Sequence, residues 1–248
     1  MTSLDLRNTL RTGDALLFCS NTPTGFLLKT FTSSSWNHSG IAIRVKDGKI
    51  SFDDEGELYI LETNMGERYD PYINEMRNGA GISTSNYVFQ KYNKVAVRSL
   101  HDCWRNETLA VKTFEFLDRY GAVPFPGSVT PFISIWVGIS FNDTVSESMF
   151  CSELMAHYYE DVVGCQFEEI LNRKYDGDLR SLFGKSAPSG HNMIKPETYS
   201  QVFTPDSPLF SDEKVVYVRE ADLAVTIIQP FLLTACAAML VVMFYTKL

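Results

Sequence analysis

Alternating apolar and polar residues predict strands in the first hundred residues of the chain and again near residue 215. Ile41, Ile43 and Val45 alternate with Ala42 and Arg44, which is the two-residue period of a strand with one buried face. The same alternation, or a short apolar run bounded by turn residues, predicts five strands, at residues 15–19, 41–45, 58–63, 94–97 and 214–218.

Helical spacing replaces this alternation in the middle of the chain. Apolar residues three or four apart, or a proline at a first turn, predict helices at residues 26–31, 106–120, 148–163 and 196–199. Asn106 is the expected N-cap of the second helix, with Leu109, Phe114 and Leu117 on its apolar face, and Ser146 or Ser148 is the expected cap of the third. Residues 172–196 are predicted as a long loop. Strands followed by helices and a last strand indicate an α+β fold.

A long segment without charge lies close to the C-terminus. Residues 223–245 are 23 consecutive residues with no charged side chain. As a helix they would span about 35 Å, against a hydrocarbon core of about 30 Å. Gln229 and Pro230 interrupt the segment, but membrane helices tolerate proline because neighbouring groups satisfy the freed carbonyl. The sequence predicts a C-terminal transmembrane tail anchor behind a head of residues 1–222. The alternative is a buried core helix.

The expected location of the head is the cytosol. Asp5, Arg7 and Arg11 precede any apolar run, so the first residues lack the pattern of a secretory signal peptide. Arg219 and Lys247 lie on opposite sides of the apolar segment, and the charge rule therefore does not set its orientation. The cytosolic expectation rests on the missing signal sequence and on the cysteine usage.

Composition narrows the expected partners. The 248 residues include 22 Lys+Arg and 30 Asp+Glu, a net charge of −8 with no basic cluster, so nucleic acid is not an expected partner. Apolar residues (45%) and charged residues (21%) are at globular levels, which excludes long disorder and coiled coils. Five scattered cysteines without CxxC spacing argue against a disulfide scaffold or a structural zinc site and indicate a reducing compartment. Neither a metal nor a cofactor is expected.

Cys151 is the sharpest candidate for chemistry. It stands at the N-terminus of the helix predicted for 148–163, where the helix dipole stabilises a thiolate, the reactive form of cysteine. Free amide N–H groups of the same first turn are suited to hold an acyl oxyanion. The alternative is that Cys151 packs as a small buried apolar residue.

A thiolate nucleophile needs a base, and the chain offers four histidines. His157 lies six residues after Cys151, well round the predicted helix, and His101 and His191 are expected in loops. His38 begins a predicted strand, where a side chain is held rigidly. It is the best candidate, with a capping or packing role as the alternative.

Glu62 is the candidate third member, because it would orient the imidazole. If the strands at 41–45 and 58–62 pair as a hairpin with its midpoint near residues 51–52, His38 lies opposite residues 62–65. A carboxylate there would fix the tautomer and stabilise imidazolium. The alternative for Glu62 is a solvated edge residue. Two other polar residues remain open for the third position: Asn64 and Glu67.

Four segments, in chain order, carry a resemblance to a known family: Thr12-Gly13-Asp14, Asn37-His38-Ser39-Gly40-Ile41, Glu62, and Phe150-Cys151-Ser152-Glu153-Leu154. The sequence resembles the circularly permuted papain-like (NlpC-type) superfamily of thiol enzymes, in the branch with YiiX-like hydrolases and lecithin:retinol acyltransferase. In that branch the histidine strand precedes the cysteine helix, as here. The Phe-Cys-Ser-Glu run is closer to YiiX-like members than to the lipid acyltransferases.

The resemblance implies an antiparallel sheet packed against the cysteine helix, with Cys151 as nucleophile, His38 as base and Glu62 as orienting residue. It also implies hydrolysis or transfer of an acyl group through a thioester intermediate. Together with the membrane segment, we expect an anchored enzyme that acts on a lipid or another acylated substrate. Two alternatives stay open: an amidase or peptidase acting near the membrane, and a catalytically inert anchored binding module.

Overall fold

The computed structural model describes residues 3–22, 25, 36–125, 149–164, 210 and 214–218. Four α-helices lie in these ranges: α1 (Ser3–Thr9), α2 (Ser85–Lys91), α3 (Glu107–Tyr120) and α4 (Cys151–Tyr158). Seven strands accompany them: β1 (Ala15–Cys19), β2 (His38–Lys46), β3 (Lys49–Ser51), β4 (Glu57–Asp70), β5 (Glu75–Thr84), β6 (Lys94–Arg98) and β7 (Lys214–Val218). A 3₁₀ turn (Asp102–Trp104) precedes α3, and a π-helical turn (Tyr159–Val163) continues α4.

Within the described ranges, all seven strands form one antiparallel sheet. Its order is β5-β4-β2-β1-β6-β7, and β3 pairs with β2. Helices pack on this sheet rather than alternating with its strands, so the predicted α+β class is confirmed. The strands predicted at 15–19 and 214–218 have those bounds in the structure, and those at 41–45, 58–63 and 94–97 are present but longer.

The register between β2 and β4 also agrees with the prediction. Ile41 pairs with Leu61 and Ile43 with Tyr59, which places the midpoint of the pairing at residue 51. Continuing that register by three residues sets His38 opposite position 64, inside the predicted stretch. The connection is more than a simple loop, because β3 turns back to pair with β2 along its other edge.

The sheet has an apolar core on each face, because successive side chains of a strand point to opposite sides. One core joins the sheet to α3 and α4 and includes Leu17, Ile41, Leu61, Leu117, Leu154 and Met155. The other joins it to α1 and α2 and includes Leu6, Leu16, Phe18, Ile60 and Val88. Each such side chain contributes about 1.5–3 kcal/mol when it leaves water. Two helical layers therefore hold the sheet rigid on both sides.

Helix α3 begins as predicted and buries two of the three apolar residues expected on its inner face, Leu109 and Leu117. The Asn106 side chain accepts a hydrogen bond from the Leu109 amide at 3.1 Å, which confirms it as N-cap. The expected burial of Phe114 is wrong, since its side chain is 53% exposed. Phe114 follows Leu109 by five residues, so it lies about 140° round the helix from Leu109. The buried row instead continues through Thr113, Phe116 and Leu117.

Helix α4 begins later than predicted. Its N-cap is Phe150, so neither Ser146 nor Ser148 caps the helix; both serines lie outside the described residues. In place of a capping hydroxyl, the Glu153 carboxylate accepts a hydrogen bond from the Phe150 amide at 3.2 Å. Cys151 is therefore the first helical residue, in the turn where amide N–H groups have no intrahelical acceptor.

The part of the chain that the structure describes contains no helix long and apolar enough to cross a membrane. The anchor predicted at residues 223–245 lies outside the described residues, as do the helices predicted at 26–31 and 196–199 and the loop predicted at 172–196.

Candidate active site

Two hydrogen bonds at the start of β2 fix the position of His38. The side chain of Asn37 donates to the Ser20 carbonyl at 2.9 Å and accepts from the Ser20 amide at 3.1 Å. Ser20 directly follows β1, so this double hydrogen bond ties the end of β1 to the entry of β2. As the first residue of β2, His38 therefore holds a fixed position at the end of the sheet.

Gly40 lets β2 and β4 approach each other beside the histidine. A Cβ atom at this position would lie 2.9 Å from Cγ2 of Ile60 and 3.0 Å from the carbonyl oxygen of Leu61, closer than ordinary contact. The glycine of the Asn37-His38-Ser39-Gly40 motif is thus required by packing, since any side chain would push β4 and its Glu62 away from His38.

Cys151 is placed by the segment that leads into α4. The Met149 amide donates to the carbonyl of Pro124 at 2.9 Å, and the Thr63 hydroxyl donates to the carbonyl of Met149 at 3.1 Å. Thr63 directly follows Glu62 on β4. The start of the cysteine helix is therefore tied to the strand that carries the glutamate.

The structure brings Cys151, His38 and Glu62 together. Nε2 of His38 lies 2.6 Å from Oε2 of Glu62, and the Cys151 side chain hydrogen-bonds the same imidazole ring. Because Nε2 is engaged by the carboxylate, the nitrogen left for the sulfur is Nδ1. Cys151 is partly exposed, whereas Glu62 is fully buried behind the ring. Cys151 is therefore the member of the cluster closest to solvent.

The electrostatics of the Cys151–His38–Glu62 cluster favour a charged pair. Burial alone would lower the pKa of His38, but the charge and hydrogen bond of Cys151, followed by those of Glu62, raise it to about 9. Burial would raise the pKa of the Cys151 thiol, but the charge and hydrogen bond of His38, with Ser39 adding to the effect, lower it. Both shifts favour a thiolate beside an imidazolium over the neutral pair.

Glu62 remains ionised although no part of it reaches solvent. Burial would raise its pKa, but the hydrogen bond and charge of His38, together with the charges of Lys91 and Arg68, lower it to about 2. A carboxylate held in this state accepts a hydrogen bond from the Nε2–H group and fixes the orientation of the ring.

Two aromatic rings stack against the imidazole and against each other. The ring centroid of Tyr92 lies 5.2 Å from that of His38 at an interplanar angle of 15°, and that of Phe18 lies 5.6 Å away at 30°. Burial and the nearby negative charges of Glu62 and Cys151 raise the pKa of Tyr92 well above its usual value, so the phenol stays neutral. Both rings therefore pack against the imidazole and restrict its rotation.

The other candidates fall outside this cluster. His157 stacks on Tyr120, with ring centroids 5.4 Å apart, and His101 precedes the 3₁₀ turn before α3. Glu67 is exposed. Asn64 contacts Glu62 rather than the imidazole, through a 3.1 Å hydrogen bond to Oε1. His191 lies outside the described residues.

Sequence reasoning missed the residues behind Glu62, namely Arg68 and Ser83. Arg68 lies on the second half of β4 and Ser83 on β5, a strand that no alternation predicted. A lone arginine and serine in a polar, glycine-containing stretch give no signal of burial.

Among the residues that the structure describes, no three His, Cys, Asp or Glu side chains gather as a metal site would require.

Comparison with known proteins adds a similarity to a solved structure. No protein-family model matches the chain, and no curated protein matches it. A crystal structure of the metalloprotein yiiX from Escherichia coli O157:H7 is similar to the chain with a TM-score of 0.48 and 16% sequence identity. The similarity covers 85% of this chain and 98% of that one. What the site does has to be inferred from its own geometry.

Proposed function

We propose that the protein is a cysteine hydrolase or acyltransferase that cleaves an ester or amide bond through a thioester on Cys151. One observation carries this proposal: a partly exposed cysteine at a helix N-terminus contacts a buried histidine, whose other ring nitrogen is held by a buried carboxylate. This is the arrangement of nucleophile, base and orienting group that acyl transfer requires. The resemblance of the sequence to the permuted papain-like superfamily, in which the histidine strand also precedes the cysteine helix, supports the proposal.

Acylation begins from the ion pair. The Cys151 thiolate attacks the carbonyl carbon, the carbon–sulfur bond forms, and the carbonyl π electrons move to oxygen. Amide N–H groups of the first turn of α4 stabilise this oxyanion. As the tetrahedral intermediate collapses, the bond to the leaving group breaks, and the His38 imidazolium gives its Nδ1 proton to the leaving alkoxide or amine.

Deacylation reverses the roles. Neutral His38 accepts a proton at Nδ1 from water, or from the hydroxyl or amine of an acceptor, as that oxygen or nitrogen attacks the thioester. The carbon–sulfur bond breaks, the acyl product leaves, and the thiolate and imidazolium re-form. Glu62 keeps the proton on Nε2 throughout, so that Nδ1 is the nitrogen that loses and regains one.

We further propose that the acyl donor is a membrane lipid. The support is the predicted anchor at residues 223–245, which would keep the head at a bilayer surface where lipid esters are present at high effective concentration. Transfer to water makes the protein a lipid hydrolase, and transfer to a second lipid or an amine makes it an acyltransferase.

An activity-based thiol probe tests the chemistry. We expect the purified protein to be labelled, labelling to be lost in Cys151→Ala, and labelling to persist in Cys103→Ala, where a free and exposed cysteine is removed instead. Phospholipid liposomes then test the substrate: fatty-acid release by the wild type should exceed release by Cys151→Ala by at least about 1,000-fold. Equal labelling of wild type and Cys151→Ala would refute the thiol mechanism, and turnover of peptide amides without lipid turnover would refute the lipid substrate.

A further inference from the structure

The two carboxylate oxygens of Glu62 have separate partners. Oε2 faces His38 at 2.6 Å. Oε1 accepts the Ser83 hydroxyl at 2.6 Å and the Asn64 amide at 3.1 Å, and lies 3.8 Å from Nε of Arg68. The carboxylate is thus held from behind by one oxygen while the other is directed at the imidazole.

Arg68 stands at the far end of this arrangement and is 3% exposed. Its guanidinium donates to Ser83 Oγ at 2.7 Å, to the Gly79 carbonyl at 2.8 Å and to the Glu62 carbonyl at 3.1 Å. Because a guanidinium only donates, Ser83 Oγ accepts that bond and its own hydrogen is left for Oε1 of Glu62. The Ser83 hydroxyl therefore links the two charged groups: it accepts a hydrogen bond from the Arg68 guanidinium and donates one to the Glu62 carboxylate.

An irregularity in β4 makes this contact possible. In a straight strand, residues six apart are separated by about 20 Å, beyond the reach of an arginine side chain. The pairing of β4 with β5 shifts between Asn64 and Arg68, where residues 65–67 face the single residue at 78. The bend returns the Arg68 side chain towards Glu62.

We propose that Arg68 and Ser83 form a clamp on Glu62, and that through it Arg68 is a positioning residue for the His38–Cys151 ion pair. The charges then alternate along one line: thiolate, imidazolium, carboxylate and guanidinium. Each charge stabilises its neighbours, and the buried arginine is what closes the line at the protein interior. This inference rests on the proposed function, since it concerns the reactivity of the same sulfur.

Other groups also face Glu62. Lys91 at the end of α2 donates to Asn64 Oδ1 at 2.8 Å and lowers the pKa of the carboxyl, but it is exposed, so water and salt screen its charge. Tyr87 on the same helix and Tyr92 just after it stay neutral, because burial and the Glu62 charge raise the pKa of both phenols. Among these groups, Arg68 is the buried cation.

Arg77 provides a matched control. It pairs directly with Arg68 across β4 and β5, but its guanidinium lies 3.5 Å from Asp70 and donates to the Ala80 carbonyl, away from Glu62. Replacing it removes an arginine from the same hairpin and leaves every hydrogen bond of the clamp in place.

The test is the pH dependence of Cys151 alkylation by iodoacetamide in the full-length protein, followed by mass spectrometry of the peptide that contains it. Alkylation reports the thiolate and needs no substrate. We expect a wild-type midpoint below the free-cysteine value of about 8.5. Arg68→Met and Ser83→Ala should each raise the midpoint by about one pH unit, and Arg77→Met should leave it unchanged.

Each outcome decides between the claims. A folded Arg68→Met or Ser83→Ala protein with the wild-type midpoint overturns the clamp, as does an Arg77→Met protein that shifts equally. If Arg68→Met does not fold, Ser83→Ala decides alone, since it removes a single oxygen. A wild-type midpoint near 8.5 instead overturns the proposed function, which separates that failure from failure of the clamp.

Discussion

The His38 side chain carries a charge where water hardly reaches it, and its neighbours explain how. An unpaired charge in such a place costs several kcal/mol. Here the ring has an anionic partner at each nitrogen, Glu62 at Nε2 and Cys151 at the other. The faces of Phe18 and Tyr92 add a cation–π attraction of about 0.5–2 kcal/mol. The imidazolium is therefore the favoured form of the ring at neutral pH.

Glu62→Gln should reduce kcat/KM by about 100-fold at neutral pH. The wild-type profile should rise as pH passes upward through the lowered pKa of Cys151 and fall as pH passes upward through the pKa of His38 at about 9. Loss of the carboxylate charge lowers the pKa of His38 and consequently raises that of Cys151. The pH range in which the enzyme is active should therefore narrow at both its acidic and its basic limit. A pH profile of kcat/KM measures this range.

Glu67→Gln is the control for this substitution, because it makes the same chemical change at an exposed residue of the same strand. Its profile should match that of the wild type. If Glu62→Gln kept the full wild-type window, the carboxylate would not be the orienting group.

Strand β4 assembles most of the site. It contributes Glu62, the hydroxyl of Thr63 that anchors the entry to α4, and Arg68 beyond its bend. At 14 residues it is the longest strand in the described part of the chain. Its contact with β2 fixes the distance between Glu62 and His38, so changes in how these two strands pack should alter both stability and chemistry.

Gly40→Ala tests the contact between β2 and β4. The new methyl group would collide with Ile60 and with the Leu61 carbonyl, so we expect a loss of about 1–3 kcal/mol in the free energy of unfolding, together with reduced probe labelling. Urea denaturation measures the first effect. Gly66→Ala is the control, since a Cβ there would meet nothing within 4 Å. Equal stability of Gly40→Ala and the wild type would show that β2 and β4 can accommodate a methyl group at this position.

The sequence predicts the centre of the sheet better than its β4–β5 side. Strands β1 and β2 and the first part of β4 carry unbroken apolar runs or alternation, and the β2–β4 register follows from them. Strand β5 has no such signal because its exposed half is mostly polar, with Met76 as its one apolar residue, and its buried half contains Gly79 and Gly81. The clamp residues lie on this side, so their role depends on pairing that no periodicity shows. Helix α2 also lacks a sequence signal. It is only seven residues long, with Thr84 as its N-cap, and so short a helix shows too few repeats of helical spacing to be recognised.

A buried aspartate joins distant parts of the head. Asp14, from the Thr12-Gly13-Asp14 turn, accepts hydrogen bonds from the Leu100 amide at 2.9 Å and the Arg11 amide at 2.8 Å and pairs with Arg105. Its backbone carbonyl accepts from the Ala42 amide of β2. This turn therefore ties β2 to the segment before α3, and the motif has a structural role in addition to its value for the resemblance.

Deletion of residues 223–248 tests the membrane expectation for the molecule as a whole. We expect the full chain to sediment with membranes and the shortened chain to remain in the supernatant, because 23 uncharged residues have been removed. Thiol-probe labelling of the shortened chain serves as the control that the head is still folded. A shortened chain that still sediments with membranes would contradict the anchor.

The hydrogen bond between Thr63 and Met149 joins residues 86 positions apart, and it has a consequence for biosynthesis. A ribosome adding about 5–20 residues per second makes the histidine and glutamate strands roughly ten seconds before the cysteine helix. The nascent chain thus carries the proposed proton acceptor well before the proposed nucleophile. Until α4 emerges and docks, the growing polypeptide lacks the Cys151 sulfur, so under the proposed mechanism the order of translation delays the onset of reactivity.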